Sequence, residues 1–321
     1  MPVPTNRTDT GSATRYWPIL QPLHAVDAHT AAWAADHGPL AVFAYEFIRF
    51  GVKQAWACLF GGLMLALIIA TYLFYPTDAA LYRYDFLALA ALAIQLALIA
   101  TRMETLDEAK VILIFHVVGT IMEIFKTAKG SWIYPEAAYL RIAGVPLFTG
   151  FMYACVGSYM ARSWRLFDFR FTRHPPRWAI MLLSAAIYLN FYTHHYTADI
   201  RVILFAASAL IFGPSWIYYR IHTRYRRMPV LLSAGLVALF IWFAENIGTI
   251  TRTWSYPGQS AAWTMVAPAK LGSWFLLIIV SYGLVTLVNR PQRYIPARDA
   301  AGRVCNEGDS LASHAPGGKN G

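Results

Sequence analysis

Two glutamates hold the strongest hint of chemistry in this chain. Glu123, Thr127, Trp132, Tyr134 and Pro135 recur as Glu245, Thr249, Trp254, Tyr256 and Pro257, each pair 122 positions apart. The shared pattern is Glu-x3-Thr-x4-Trp-x-Tyr-Pro. Its members are scarce, with seven glutamates and eleven tryptophans in the whole chain, so chance is a poor account of the repetition. Each glutamate closes an apolar stretch, where it meets the negative end of a helix dipole at the edge of hydrocarbon. An unpaired carboxylate is costly there, and something must compensate it. Two carboxylates that share one cationic neighbour can settle into different protonation states, which separates an acid from a base.

Lys126 follows Glu123 by three residues, so an interfacial Glu–Lys pair on one helix face is the plain account of the first copy. Glu245 has Gly248 and Thr249 at those places, and its partner must come from elsewhere, with Lys126 and Arg252 as candidates. His116 stands seven residues before Glu123, two turns away on the same face, with Gly119 and Thr120 between. That stripe could relay a proton or orient a polar group; the plainer reading is a histidine hydrogen-bonded within a bundle. Ala238 occupies the matching place in the second copy, so the role is not duplicated. Trp132, Tyr134, Trp254 and Tyr256, with Thr127 and Thr249, are the candidate substrate-binding set. An interfacial aromatic belt would explain these residue types without explaining their common spacing. His194 and His195 are adjacent, about 100° apart on a helix, whereas a metal pair needs i, i+3 or i, i+4. No metal site is expected, and no cofactor, because phosphate-binding loops, dinucleotide fingerprints and nucleophile elbows are missing from the sequence.

The elements that must position these residues follow from composition. Of 321 residues 57% are apolar and 14% charged, with a mean hydropathy of +0.42. Soluble domains carry roughly a quarter charged residues. Apolar blocks span 55–75, 86–101, 109–125, 145–161, 178–192, 200–219, 230–250 and 269–288, so the expected fold is an all-α polytopic transmembrane bundle of eight spans. The net charge of +10 is not a nucleic-acid footprint, because lysine and arginine sit in short loops between apolar blocks. Twenty of the 27 basic residues fall in the N-terminal segment, the even-numbered loops and the C-terminal segment, against seven in the odd-numbered loops. That alternation predicts eight spans with both termini cytoplasmic. Equivalent helices four spans apart run the same way, so the halves, 55–163 and 178–288, form a parallel repeat.

Within that plan, 39–53 reads as an amphipathic interfacial helix, with Phe43, Phe47 and Phe50 set against Glu46, Arg49 and Lys53. Residues 1–38 and 291–321 read as mostly disordered cytoplasmic tails flanking a transmembrane domain at 39–290. Asn6-Arg7-Thr8 forms a sequon that is idle on the cytoplasmic side. The three cysteines are structural. Arg162–Arg177 and Arg220–Arg227 interleave arginine with aromatics, as a basic anchor or a holder of acidic lipid headgroups would.

Several runs carry a family resemblance. Glu123-Ile-Phe-Lys126-Thr127, Gly130-Ser131-Trp132-Ile-Tyr134-Pro135-Glu136, the stretch Gly150 to Tyr159 and Arg162 to Phe171 resemble the bacterial YoaT-like family, domain of unknown function 817. The resemblance covers roughly residues 40 to 290 and implies a bacterial inner-membrane protein. A glutamate followed by Gly, Trp and Tyr at a membrane-helix end is also similar to an element of carotenoid hydratases and cyclases, an analogy of site rather than of fold. Three readings follow: an intramembrane acid/base enzyme on an isoprenoid or lipid-like substrate, a proton-coupled transporter or small-molecule binder, and a structural membrane partner. In the first, Glu123 and Glu245 serve as acid and base, with His116 and Lys126 in support. Membrane lipids and an apolar or amphiphilic small molecule are the expected partners. A closed apolar pocket at the glutamates favours the enzyme, and a polar cavity reachable from both faces favours transport.

Overall fold

Each apolar block of the sequence contains a helix. The computed structural model describes residues 21–259 and 262–296. The sequon and most of the C-terminal tail lie outside the described residues. The chain divides into two units, one ending at Val52 and the other starting at Lys53. The first holds α1 (Gln21–Asp36) and most of α2 (Pro39–Ala57). Gly38 joins them at a φ of 89°, which glycine takes without strain, and Pro39 suits the first helical position. Asp27 on α1 accepts a hydrogen bond from the Tyr45 hydroxyl (2.8 Å) and pairs with Arg49, both on α2. Helix α1 therefore occupies part of the segment read as a tail. Leu40, Phe43 and Phe47 are exposed along α2.

The second unit contains α3 (Leu59–Phe74), α4 (Arg83–Ala100), α5 (Leu106–Ala128), α6 (Phe148–Phe167), α7 (Arg177–Thr193), α8 (Arg201–Phe212), α9 (Val230–Ile250) and α10 (Lys270–Val288). Helices α4, α5, α9 and α10 are long and apolar enough to cross a membrane. A fifth span results if α2 and α3, broken at Cys58, count as one. By length and composition the chain is a helical membrane protein. Two expected spans give part of their apolar blocks to strands. Helix α8 stops at Phe212 because Gly213 and Pro214 follow it, and Trp216–Tyr219 goes into a strand. Val145 and Pro146 form a strand, β2, paired with β1 (Arg141–Ile142), before α6 begins.

The all-α expectation is corrected by a four-stranded sheet. Strands β3 (Arg170–Thr172), β4 (Trp216–Arg220), β5 (Tyr225–Pro229) and β6 (Gln292–Arg293) lie in the order β5-β4-β3-β6. β3 and β6 run parallel and the other neighbours antiparallel. Of the arginine-aromatic runs read as anchors, the first contains the end of α6 and β3 and the second joins β4 to β5, and the start of the expected C-terminal tail contains β6. Alternation sends Phe171 and Ile217, direct cross-strand partners, into the core beneath α7 to α10. Arg170 and Tyr218, the adjacent pair, are only partly buried.

Helices in lipid gain nothing from hiding apolar surface from water, so close approach and polar pairing must hold them. The α5–α6 seam is tight for this reason. A Cβ on Gly119 would lie 2.4 Å from the Tyr153 ring, and one on Gly150 2.5 Å from His116. At the opposite end from the motif loops, Arg162 and Glu104 pair at 2.6 Å with both side chains fully buried. Ser158 (2.8 Å) and Gln95 also donate to Glu104. Thr105 and Glu108 form a capping box that starts α5 beside this pair.

Candidate functional site

The two motif loops meet each other. Ile133 N–H donates to Ser255 C=O (2.9 Å) and Ser255 N–H donates to Ile133 C=O (3.0 Å). These residues are themselves 122 positions apart. The loops are tied to the start of α4 as well: Arg83 forks onto Glu136 (2.9 and 2.5 Å), and the Tyr84 hydroxyl donates to Thr253 C=O (2.8 Å).

This pairing encloses both glutamates. Glu123 is buried, and its Oε2 accepts from Trp132 Nε1 (2.7 Å) and the Tyr134 hydroxyl (2.6 Å). Its Oε1 accepts from the Tyr153 hydroxyl on α6 (2.8 Å). Glu245 is equally buried; Oε1 accepts from the Tyr256 hydroxyl and Oε2 from Trp274 Nε1 on α10. Each carboxylate thus receives the tyrosine of its own motif, eleven residues on, plus an aromatic donor from the following helix. Burial first, then the neighbouring carboxylate, holds the Tyr134 and Tyr256 hydroxyls above the usual phenol range, so both remain donors. Among the described residues neither glutamate has an ion-pair partner within 4 Å.

The cation shared by the two sites is Lys270, the first residue of α10. Its Nζ lies 4.2 Å from the centre of the Tyr256 ring and 5.6 Å from that of Trp132. One of those rings donates to Glu245 and the other to Glu123, and the two meet edge to face. A cation over an aromatic face draws electron density from the ring and strengthens its O–H or N–H as a donor.

Other sequence candidates are placed differently. Lys126 does not pair with Glu123. Its Nζ lies 3.0 Å from His195 Nε2 and 3.4 Å from His194 Nε2. Glu123 turns instead to α6 and its own loop, where three neutral donors already surround it. His194 Nδ1 contacts Asn190 C=O (2.8 Å) and so carries the proton, leaving Nε2 to accept. Burial first, then the charges of Lys126, His194 and Lys129, holds His195 below the usual histidine range. His116 packs in the α5–α6 seam against Phe151 (ring centres 4.7 Å apart) with Nδ1 buried and unpartnered. Arg252 is not hydrogen-bonded to Glu245. Trp254 departs from its counterpart: it fills space over Gly248 and joins a core of Ile68, Tyr84, Tyr134 and Phe148. Thr127 Oγ1 is buried without a partner, and Thr249 Oγ1 accepts from Trp263 (3.0 Å). Among the described residues no three His, Cys, Asp or Glu side chains gather as a metal set would require.

Tyr153, Trp274 and Lys270 were not foreseen from the sequence. The available signal was weak: Tyr153 and Trp274 both lie one to two turns into the helix after a motif, 121 positions apart. Tyr153 also lines a narrow apolar cleft between α5, α6, α7 and α10, with about 350 Å³ of empty space, its mouth included. Met122, Leu277 and Val280 are among its walls.

Comparison with known proteins gives a clear lineage. The family model described as "Protein of unknown function (DUF817)" matches residues 46–282. The chain belongs to the DUF817 family. The Bacillus subtilis (strain 168) protein described as "Uncharacterized protein YoaT" is 40% identical over 253 residues, covering 79% of this chain and 95% of that protein. Among solved structures, the mycobacterial Insig homolog MvINS from Mycobacterium vanbaalenii is similar over 59% of this chain and 98% of its own, at 14% identity and a TM-score of 0.43. A cross-linked trimer of MvINS gives 15% identity and the same score. The motif residues and Tyr153, Lys270 and Trp274 all lie inside the segment that matches the DUF817 model.

Proposed function

We propose that this DUF817 protein holds an apolar or amphiphilic membrane molecule in the cleft beneath Glu123 and performs acid–base chemistry on it, the substrate being isoprenoid or lipid-like. One observation carries this reading: the Tyr153 ring borders an apolar cleft while its hydroxyl is hydrogen-bonded to a buried carboxylate. Tyr153 is then the group that touches the bound molecule, and Glu123 supplies or takes its proton. Glu245, with two donors to the three on Glu123, is the second acid–base group. Trp132 and Tyr256 tune the pair beneath Lys270. His116 and Lys126 act at one remove, on the α5–α6 seam and the outer histidines. The apolar character of the cleft favours this reading over transport, which needs a polar route from both faces.

The frame for this activity is eight spans in a bacterial inner membrane, as two parallel halves with cytoplasmic termini and α2 lying in the interface. The reciprocal Ile133–Ser255 pairing supports the repeat, since residues that bond to their own counterparts in both directions are what a two-fold relation produces. The exposed Leu40, Phe43 and Phe47 support the interfacial placement.

The test is a lipid profile. Membranes of a strain lacking the protein are compared with those of its parent and of strains complemented with wild type, Tyr153→Phe or Glu123→Gln. The expected result is a lipid species lost or accumulated in the deletion, restored by wild type and by neither variant. Identical extracts from deletion and parent would overturn the enzyme reading.

A further inference from the structure

Basic side chains gather at the motif end without matching acid. Lys126 and Lys129 stand at the end of α5, Arg201 opens α8 and Lys270 opens α10. Asp199 is the carboxylate beside them, and it is already committed: it pairs with the Arg201 side chain (3.0 Å) and accepts from the Arg201 N–H (2.9 Å) and from Asn190 Nδ2 (3.0 Å). Glu245 turns its two oxygens to Tyr256 and Trp274. Among the described residues no carboxylate lies within 4 Å of Lys126, Lys129 or Lys270.

Lys126 is 6% exposed, and its hydrogen-bond partners are the imidazoles of His194 and His195. An ammonium has three donors, and among the described residues the third finds no acceptor. Nor does either of the other two lysines find one there: Lys129 lies over the Tyr196 and Phe125 rings, and Lys270 over those of Tyr256 and Trp132. The charges of Lys270 and Arg201 bear on Lys126, and that of Lys129 on His195, so the group acts as one positive field. A buried charge without a counter-charge is costly, and a phosphate supplies both the opposite sign and the acceptors that these lysines lack.

This field adjoins the apolar cleft beside Tyr153. Met122 lines the cleft, and Lys126, four residues on, continues the same face of α5. Across the seam Tyr188 of α7 also lines the cleft; its hydroxyl accepts from Tyr192 (2.8 Å), whose ring packs on Phe125 (centres 4.7 Å apart), the neighbour of Lys126 in the chain.

We propose that the molecule held in the cleft carries an anionic phosphate head, which takes the free donor of Lys126 and sits between Lys270 and Lys129, while its chain runs down the α5–α7 seam. This rests on the reading of the cleft as a substrate site and names the class of substrate: a long-chain phosphate ester rather than a neutral lipid.

The probe is radiolabelled hexadecyl phosphate, titrated onto the full-length protein in a non-ionic detergent, with bound label read by scintillation proximity. Saturable binding is expected, weakened about tenfold in Lys126→Gln, the size of one charge-assisted hydrogen bond. Lys129→Gln, at an exposed position, is expected to weaken it about threefold, and it decides the matter if Lys126→Gln no longer melts cooperatively. Lys110→Gln, which removes an exposed lysine at the other end of α5, leaves binding unchanged. Unlabelled hexadecyl phosphate is expected to displace the probe, and hexadecanol is not. Wild-type affinity in both Lys126→Gln and Lys129→Gln, or displacement by hexadecanol as effective as by hexadecyl phosphate, would overturn the proposal. Inorganic phosphate competing as well as hexadecyl phosphate would overturn it too, by assigning the lysines to a free anion. The lipid profile fails separately: identical extracts from deletion and parent, with binding that still depends on Lys126, remove the chemistry and keep the phosphate site.

Discussion

At the scale of single residues, the donors around each glutamate determine what substitution does. Glutamine keeps one acceptor oxygen, and its amide can face a tyrosine hydroxyl, which accepts as readily as it donates. Glu123→Gln and Glu245→Gln are therefore expected to remain inserted and folded while losing any acid–base function. Alanine is harsher, because each buried donor left without an acceptor costs about 1–3 kcal/mol. Glu123→Ala strands three donors and Glu245→Ala two, so melting in detergent should fall further for the first. A smaller fall for Glu123→Ala would show that these hydrogen bonds are not what secures the site. Packing offers a second check. A Cβ on Gly248 would lie 1.9 Å from the Trp254 ring, whereas one on Gly235 of the same helix meets nothing within 4 Å. Gly248→Ala is expected to cost about 1–3 kcal/mol by overpacking, and Gly235→Ala to be neutral or slightly stabilising. Spacing alone revealed the glutamates and the loop aromatics that reach them, since those contacts are local in the chain. Tyr153, Trp274 and Lys270 were hidden because helix packing, not sequence proximity, delivers them.

At the scale of elements, the helices were legible and the sheet was not. Runs of about twenty apolar residues announce themselves, whereas strands of two to five residues, with β3 paired to partners more than forty positions away, resemble any basic loop. Asp168 shows how the sheet is fastened. It ends α6 in the left-handed region (φ 48°) and meets Arg170, Arg220 and the Tyr225 hydroxyl. Burial pushes its carboxyl up, but the Tyr225 hydrogen bond and the two arginines outweigh that and hold it below the usual range. Burial and Asp168 push Tyr225 up to about 12. A carboxyl depressed by folding adds stability above its unfolded value, near 3.9, and loses it as pH falls through the folded value. Melting of wild type should therefore drop more steeply than that of Asp168→Asn as pH is lowered from about 5 to about 3. Parallel curves would remove Asp168 as the acid-sensitive fastening.

At the scale of the whole molecule, the polar contacts sort by end. Glu104–Arg162 and the sheet gather at one end, and the motif loops with Arg83–Glu136 at the other. The proposed orientation, with cytoplasmic termini, turns the motif end outward. In a chain whose own cysteines are changed to serine, Ala137→Cys should react with an impermeant maleimide in spheroplasts, and Thr223→Cys only after lysis. Labelling of Thr223→Cys in intact spheroplasts would invert the proposed orientation.

The mutual grip of Ile133 and Ser255 has a consequence for how such proteins change over time. Each loop sets the register of the other, so a single-residue insertion in one would break both backbone bonds and shift Trp132 and Tyr256 together. Tolerated indels in these loops should arise as matched pairs, and two carboxylates far apart in the chain are bound to a common evolutionary fate.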